Sequence, residues 1–362
     1  MTTREAVGRS GYRDISLYSP DRAPCRIDLS DNTNGWGMPP AAADALSTAS
    51  SAANTRYPSL YAAALKSALA SYVGVSADMV TTGCGSDDVL DSSIRAFAEP
   101  GARIAYPDPT FPMIPIFARM NGLVPVPVPL TSSYDVDVEG MLATNARIIY
   151  LCSPNNPTGA ALSHRSIDAI VGAARSDQFV IIDEAYAEFA GVTVIDLIRR
   201  CDRLLVTRTM SKAFGLAGLR VGYAIGAPSL VAEVEKSRGP YKVNAMAERA
   251  AIAALGDGLA WVREHIELTV ANRRRLIIEL AARRLRPIES DANFVFFPIA
   301  RALGLARAMR DRGVAVRPFE GLPLVSAELS ESNGSALRIT IGPWDQLAEA
   351  LDAFDEVRAQ CE

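Results

Sequence analysis

The chain has 362 residues, 49% hydrophobic and 22% charged, with a formal net charge of −4, enough to bury a large core as two domains or one with a smaller lobe. That charge gives no basic face for nucleic acid or an anionic membrane, and two histidines argue against a His-built zinc site or a Ser-His-Asp triad. Five scattered cysteines without metal spacing, no apolar leader-like stretch and no run near the ~20 apolar residues of a membrane span predict reduced thiols in a soluble cytoplasmic protein.

Residues 1 to about 30 are polar and irregular, and the Asn, Gly and Pro cluster from Asn32 to Pro40 predicts a loop before a helix over AAADALSTASSAA. A turn at Tyr57-Pro58 leads into an Ala-rich amphipathic helix. Next, Gly83, Gly85, Ser86 and Asp87 open a helix whose first turn is acidic and hydroxylated. A glycine-preceded helix start presents free backbone N–H groups to an anion, a feature common to many α/β helices.

Strand and helix patterns then alternate through ARIAY, LVPVPV, ARIIYLCSPNNPTG, QFVIIDEAYAEF and RLLVTRTMSK. Short apolar runs separated by helical stretches predict an α/β fold around a largely parallel sheet with helices on both faces. Ligands of such sheets gather at the strands' carboxyl ends. There Asn156 follows one strand, Asp183 closes the next, and Lys212 follows a third. Asp183 is either a cap or a functional acid that needs a buried partner. From Arg238 the pattern changes to a long Arg-rich helix from Trp261 to about Arg284, then DANFVFF, GVAVRPF, ALRITIG and a last amphipathic helix, a smaller α+β lobe.

Lysine is scarce: Lys66, Lys212, Lys236 and Lys242 are the only ones, and Arg supplies the other basic charge. Lys212 stands between Ser211 and a run of small, apolar residues, with Thr209 before it and Arg220 after it. An amine desolvated there has its neutral form favoured and can condense with an aldehyde. Hydroxyls and a guanidinium beside it suit a phosphate-bearing aldehyde. Spacing alone leaves open a loop lysine with an unrelated arginine nearby.

Taken together, RYP, CGSD, SPNNPTG, DEAYAEF, TMSKAFGLAGLRVGY, VNA, DANF, VRPF and LRITIG, in this order, resemble the fold-type I pyridoxal-phosphate enzymes. The resemblance runs from about Leu29 to Glu356 and is strongest to the histidinol-phosphate aminotransferase branch of the class I/II aminotransferases. It implies a mostly parallel central sheet in a large pyridoxal-phosphate domain over 46–260 and a smaller α+β domain over 261–362, with an N-terminal segment, 1–45, that joins the small domain. It also implies the cofactor pyridoxal 5'-phosphate, no metal, and ping-pong transfer from an amino donor to a 2-oxo acid. Lys212 would hold the cofactor and carry the proton, Asp183 would pair with its ring nitrogen, and Asn156 and Tyr186 would bond its phenolic oxygen. Phe111 would stack on the ring. Gly85, Ser86, Asp87, Thr209, Ser211 and Arg220 would hold the phosphate, with Tyr57 from the partner of a homodimer.

The same resemblance assigns Arg338 to the substrate α-carboxylate and Arg317 to the substrate's far end. The loop Asn32-Thr33-Asn34-Gly35-Trp36-Gly37 departs from the family's Asn-Glu-Asn-Pro-Tyr-Gly. Asn34 and Trp36 would line the side-chain pocket, so a non-histidine substrate, as in specialised metabolism, stands beside histidinol phosphate. Two other readings share the scaffold: a decarboxylase of the threonine-phosphate decarboxylase type, and a ligand-sensing regulator, which would need a basic DNA-binding block.

Overall fold

The computed structural model describes residues 8–13, 15–17 and 24–361; parts of the predicted 1–45 segment and the side chain of Cys361 lie outside the described residues. A two-residue strand, β1 (Ile27–Asp28), precedes seven that build the main sheet. These are β2 (Val80–Cys84), β3 (Arg103–Asp108), β4 (Val124–Pro129), β5 (Ile148–Cys152), β6 (Phe179–Asp183), β7 (Leu204–Thr209) and β8 (Val221–Gly226). Their order across the sheet is β2-β8-β7-β6-β5-β3-β4. Every neighbouring pair is parallel except the two that involve β8, which runs antiparallel to β2 and β7.

The near-continuous apolar runs of β5 and β6, and of Leu204–Val206 in β7, follow from burial on both faces, the usual state of a parallel strand. Alternate residues separate cleanly. Ile149, Leu151, Val180 and Ile182 join one core cluster, while Ile148, Tyr150, Phe179 and Ile181 join another across the sheet. Helices therefore cover both faces, in three layers.

The predicted helix over AAADALSTASSAA is broken into Pro40–Ser47 and Ser51–Thr55. The Arg-rich helix spans Leu259–Ala282 and leads to the second lobe. There β9 (Phe294–Pro298), β10 (Val314–Ala315), β11 (Arg317–Phe319) and β12 (Ala336–Thr340) form two small sheets. One is antiparallel in the order β11-β12-β9, and the other is the parallel pair β1-β10. On β9, Val295 and Phe297 face a separate core with Ile27, Leu29, Leu337 and Phe354, whereas Phe294 and Phe296 pack into the main one. The smaller sheet thus lies over the carboxyl edge of the larger. No helix among the described residues is long and apolar enough to cross a membrane.

Candidate active site

Between the two sheets lies a cavity of about 550 Å³. Register places its floor: Cys152 pairs with Asp183 and Asp183 with Thr207, so the carboxyl ends of β5, β6 and β7 are level. The loop after β5 adds Asn156, that after β6 adds Tyr186, and that after β7 adds Ser211 and Lys212, all lining the cavity.

Asp183 is 3% exposed. Its carboxylate accepts from Tyr150 Oη at 3.0 Å and from Thr207 Oγ1 at 3.1 Å. Burial pushes its pKa up to about 6, against the pull of those two hydroxyl donors. A desolvated acid held by neutral donors suits a cationic ring N–H beside it.

Lys212 Nζ donates to the Asp31 carbonyl at 3.1 Å. Burial, with the Arg338 charge adding to it, lowers the amine to about 8. Roughly a tenth of it is then neutral at pH 7, against far less for an ordinary lysine. Accordingly, acylation of Lys212 in cofactor-free protein, followed by peptide mass, should be half-maximal near pH 8. A midpoint near 10.5, the ordinary lysine value, would contradict the desolvated site.

The opposite end of the cavity is an anion cradle. The helix Gly85–Phe97 starts here, and Ser86 and Asp87 of its first turn line the cavity. Gly222 of β8 lies so close that a Cβ would strike the Ser86 amide nitrogen and the Gly85 carbonyl. Gly85 has φ +80°, and a Cβ there would meet the Arg220 guanidinium. Arg220 itself adopts a left-handed φ of +56°, which turns it back beside the helix start. Its Nη1 approaches Ser211 Oγ at 3.5 Å and its Nη2 meets the Asp87 carboxylate at 3.3 Å. Thr209 Oγ1 accepts from the Ser211 amide at 3.1 Å. Amides, hydroxyls and a guanidinium around one space fit a phosphate monoester.

On the smaller sheet Arg338 and Arg317 are register partners, and both line the cavity. Arg338 is buried, donating to Asn156 Oδ1 at 2.5 Å and to the Ser30 carbonyl at 2.7 Å. Its guanidinium lies 5.1 Å from the Phe294 ring and 5.5 Å from that of Phe319. Phe111 and Met113 add apolar lining.

Three expected residues lie elsewhere. Tyr57 is 85% exposed and packs on Tyr241 at 5.1 Å between ring centroids. Asn34 bonds the Ala213 carbonyl at 3.1 Å and the Trp36 amide at 3.0 Å, tying its loop to the lysine loop. That turn sends the Trp36 ring edge-on to His265 at 5.8 Å, beside the core of the second lobe. Neither Asn34 nor Trp36 lines the cavity.

Conversely, Asp31, Asn32 and Phe319 do line it, without having been singled out by sequence. Phe319 stands two residues after Arg317 in VRPF, where strand alternation puts it on the same face, a signal that was legible. Among the described residues no group of three or more His, Cys, Asp or Glu could hold a metal ion.

Comparison with known proteins agrees with this geometry. Residues 26–354 match the family described as "Aminotransferase class I and II". The chain belongs to that family. This aminotransferase is 38% identical to an aromatic amino acid aminotransferase of Rhodococcus opacus, over 96% of this chain and 93% of that protein. It is 32% identical to a histidinol-phosphate aminotransferase of Thermoanaerobacter pseudethanolicus, over 93% and 94%. Its fold matches the crystal structure of histidinol-phosphate aminotransferase from Sinorhizobium meliloti in complex with pyridoxal-5'-phosphate, with a TM-score of 0.83, 26% identity and coverage of 94% and 92%. The fold is thus that of the fold-type I enzymes, and this aminotransferase is pyridoxal-phosphate-dependent.

Proposed function

We propose that this aminotransferase moves an amino group between an amino acid with an aromatic side chain and a 2-oxo acid, through pyridoxal 5'-phosphate held by the residues of the cavity. The observation that carries the reading is the convergence of Lys212, Asp183 and Arg338 in one enclosed space beside the anion cradle. When bound, the cofactor supplies an aldehyde carbon and a ring that takes up electron density from the substrate α-carbon. Lys212 would hold the aldehyde carbon and would then move the proton at the α-carbon, a task matched by an amine lowered to about 8. Asp183 keeps the ring nitrogen protonated. Tyr186 and Asn156 would hold the phenolic oxygen, and Phe111 would cover a ring face. Ser86, Asp87, Thr209, Ser211 and Arg220, with Gly85 allowing the close approach, bind the phosphate. Arg338 forks the substrate α-carboxylate.

Phe319 and Met113 favour an aromatic side chain, as does the name carried by the Rhodococcus opacus relative. A specific residue supports a second substrate: Arg317 offers a charge at the substrate's far end and suits the phosphate of histidinol phosphate. The test is a panel of phenylalanine, tyrosine and histidinol phosphate, with 2-oxo acid and carbon dioxide both measured. Aromatic amino acids should be converted to their 2-oxo acids without carbon dioxide release, and Arg317→Ala should leave kcat/KM for phenylalanine within about threefold. Charged hydrogen bonds contribute about 1.5–3 kcal/mol. If histidinol phosphate is the true substrate, Arg317→Ala should therefore lower its kcat/KM about 10- to 150-fold. Failure to convert any aromatic amino acid would sink the first reading.

The active unit in this reading is a cytoplasmic homodimer. Tyr57 sits among exposed Leu60, Tyr61 and Tyr241, away from its own cavity, as a residue serving a partner subunit would. Mixing inactive Lys212→Ala and Tyr57→Ala subunits should restore part of the activity through one intact hybrid site. No recovery despite demonstrated subunit exchange would show that Tyr57 does not act across the interface.

A further inference from the structure

Three successive residues of the N-terminal loop each touch a different group of the cavity. The Ser30 carbonyl accepts from Arg338 at 2.7 Å, the Asp31 carbonyl accepts from Lys212 at 3.1 Å, and the Asn32 side-chain amide donates to Tyr186 Oη at 3.1 Å. Asn32 is 1% exposed, with a left-handed φ of +55°. It is also pinned from behind: its amide N–H donates to Thr340 Oγ1 at 2.9 Å, and its carbonyl accepts from Asn293 Nδ2 at 3.1 Å.

The hydrogen bonds of this chain run in one direction, from Thr340 through the Asn32 carboxamide to Tyr186. Thr340 has one hydroxyl proton. Thr340 Oγ1 accepts the Asn32 N–H, and the contact at 3.1 Å between Thr340 Oγ1 and Asn32 Oδ1 uses that proton. The Asn32 carboxamide oxygen faces Thr340, and its NH₂ faces Tyr186. The Tyr186 oxygen receives a hydrogen bond from Asn32, so its own single proton is left to be donated elsewhere. Tyr186 lines the cavity, and the cavity is where an acceptor belongs.

The geometry points to Asn32 as a positioning residue that, set by Thr340, aims the Tyr186 hydroxyl proton into the cavity as a hydrogen-bond donor. This goes beyond the proposed function and rests on its placing of Tyr186 against the cofactor's phenolic oxygen. The other charged and titratable groups around Tyr186 are Arg338 from β12, Asp183 from β6, Lys212 from the loop after β7 and Cys152 from β5. None is altered in the variants below.

The test uses the holoenzyme and reads the pH midpoint at which the bound cofactor's absorption band changes, with melting curves as a folding control. Asn32→Gly removes the carboxamide and suits a φ of +55°. A phenolic oxygen that receives a weaker hydrogen bond holds a neighbouring proton more tightly, so the midpoint should rise by about half to one pH unit. Thr340→Val, which frees the Asn32 carboxamide to turn over, should move it in the same direction, and Thr340→Ser should restore it. In a Tyr186→Phe background, which itself raises the midpoint, Asn32→Gly should add nothing, because the two changes break one chain. A parent-like midpoint in folded Asn32→Gly, or an undiminished extra shift on Tyr186→Phe, would overturn the inference alone. No shift in Tyr186→Phe would overturn both it and the placing of Tyr186. If Asn32→Gly does not fold, Thr340→Val decides by the same readings.

Discussion

Lys212→Ala should lose turnover by about four orders of magnitude or more, since on the proposed reading it removes both the attachment point and the group that moves the proton. The protein should still fold. Lys212 Nζ makes a single hydrogen bond, to the Asp31 carbonyl, and the buried residues around it, Met210, Ala213 and Phe214, hold the loop without it. The measurement pairs single-turnover kinetics with a melting curve. A folded variant with turnover within tenfold of the parent would remove the lysine, and with it the cavity, from the chemistry.

Asp183→Asn should act through a different group with a nearly equal result. The substitution keeps size and burial but exchanges an anion for an amide, so nothing holds the ring nitrogen protonated while charge moves toward it. Electrostatic contributions of this type are felt in the transition state, and kcat should fall about a thousandfold while KM changes little. Stability should be retained or slightly raised, because the buried carboxylate carries a desolvation cost that lifts its pKa to about 6. Near-parent turnover with cofactor bound would reduce Asp183 to a strand-end cap tied to Tyr150 and Thr207.

Much of this site was legible in sequence because its residues follow apolar strands. A strand buried on both faces tends to read as a continuous apolar run, so β5, β6 and the first half of β7 declared themselves, and Asn156, Asp183 and Lys212 fell at their carboxyl ends. Lys212 stood out through its surroundings, where a solvated lysine has no place. The antiparallel direction of β8 was not legible, since VGYAIG reads identically in either direction of pairing.

The contacts of Asn32 and Trp36 were hidden for another reason. Asn32 is defined by partners at Tyr186, Asn293 and Thr340, up to 308 positions away. Local pattern carries no trace of such contacts. The resemblance placed Trp36 at the substrate, yet its ring sits against His265, because the loop is turned by the Asn34 side chain and the ring finds apolar cover on the Leu259–Ala282 helix.

On the proposed reading, Lys212 holds pyridoxal phosphate in the cavity between the two sheets. Borohydride reduction of the purified holoenzyme, followed by peptide mass mapping, tests it most directly. A single phosphopyridoxyl group on the peptide containing Lys212, absent when the amino donor is added before the reductant, is the expected result. The group on Lys66, Lys236 or Lys242, or on no lysine at all, would contradict the account.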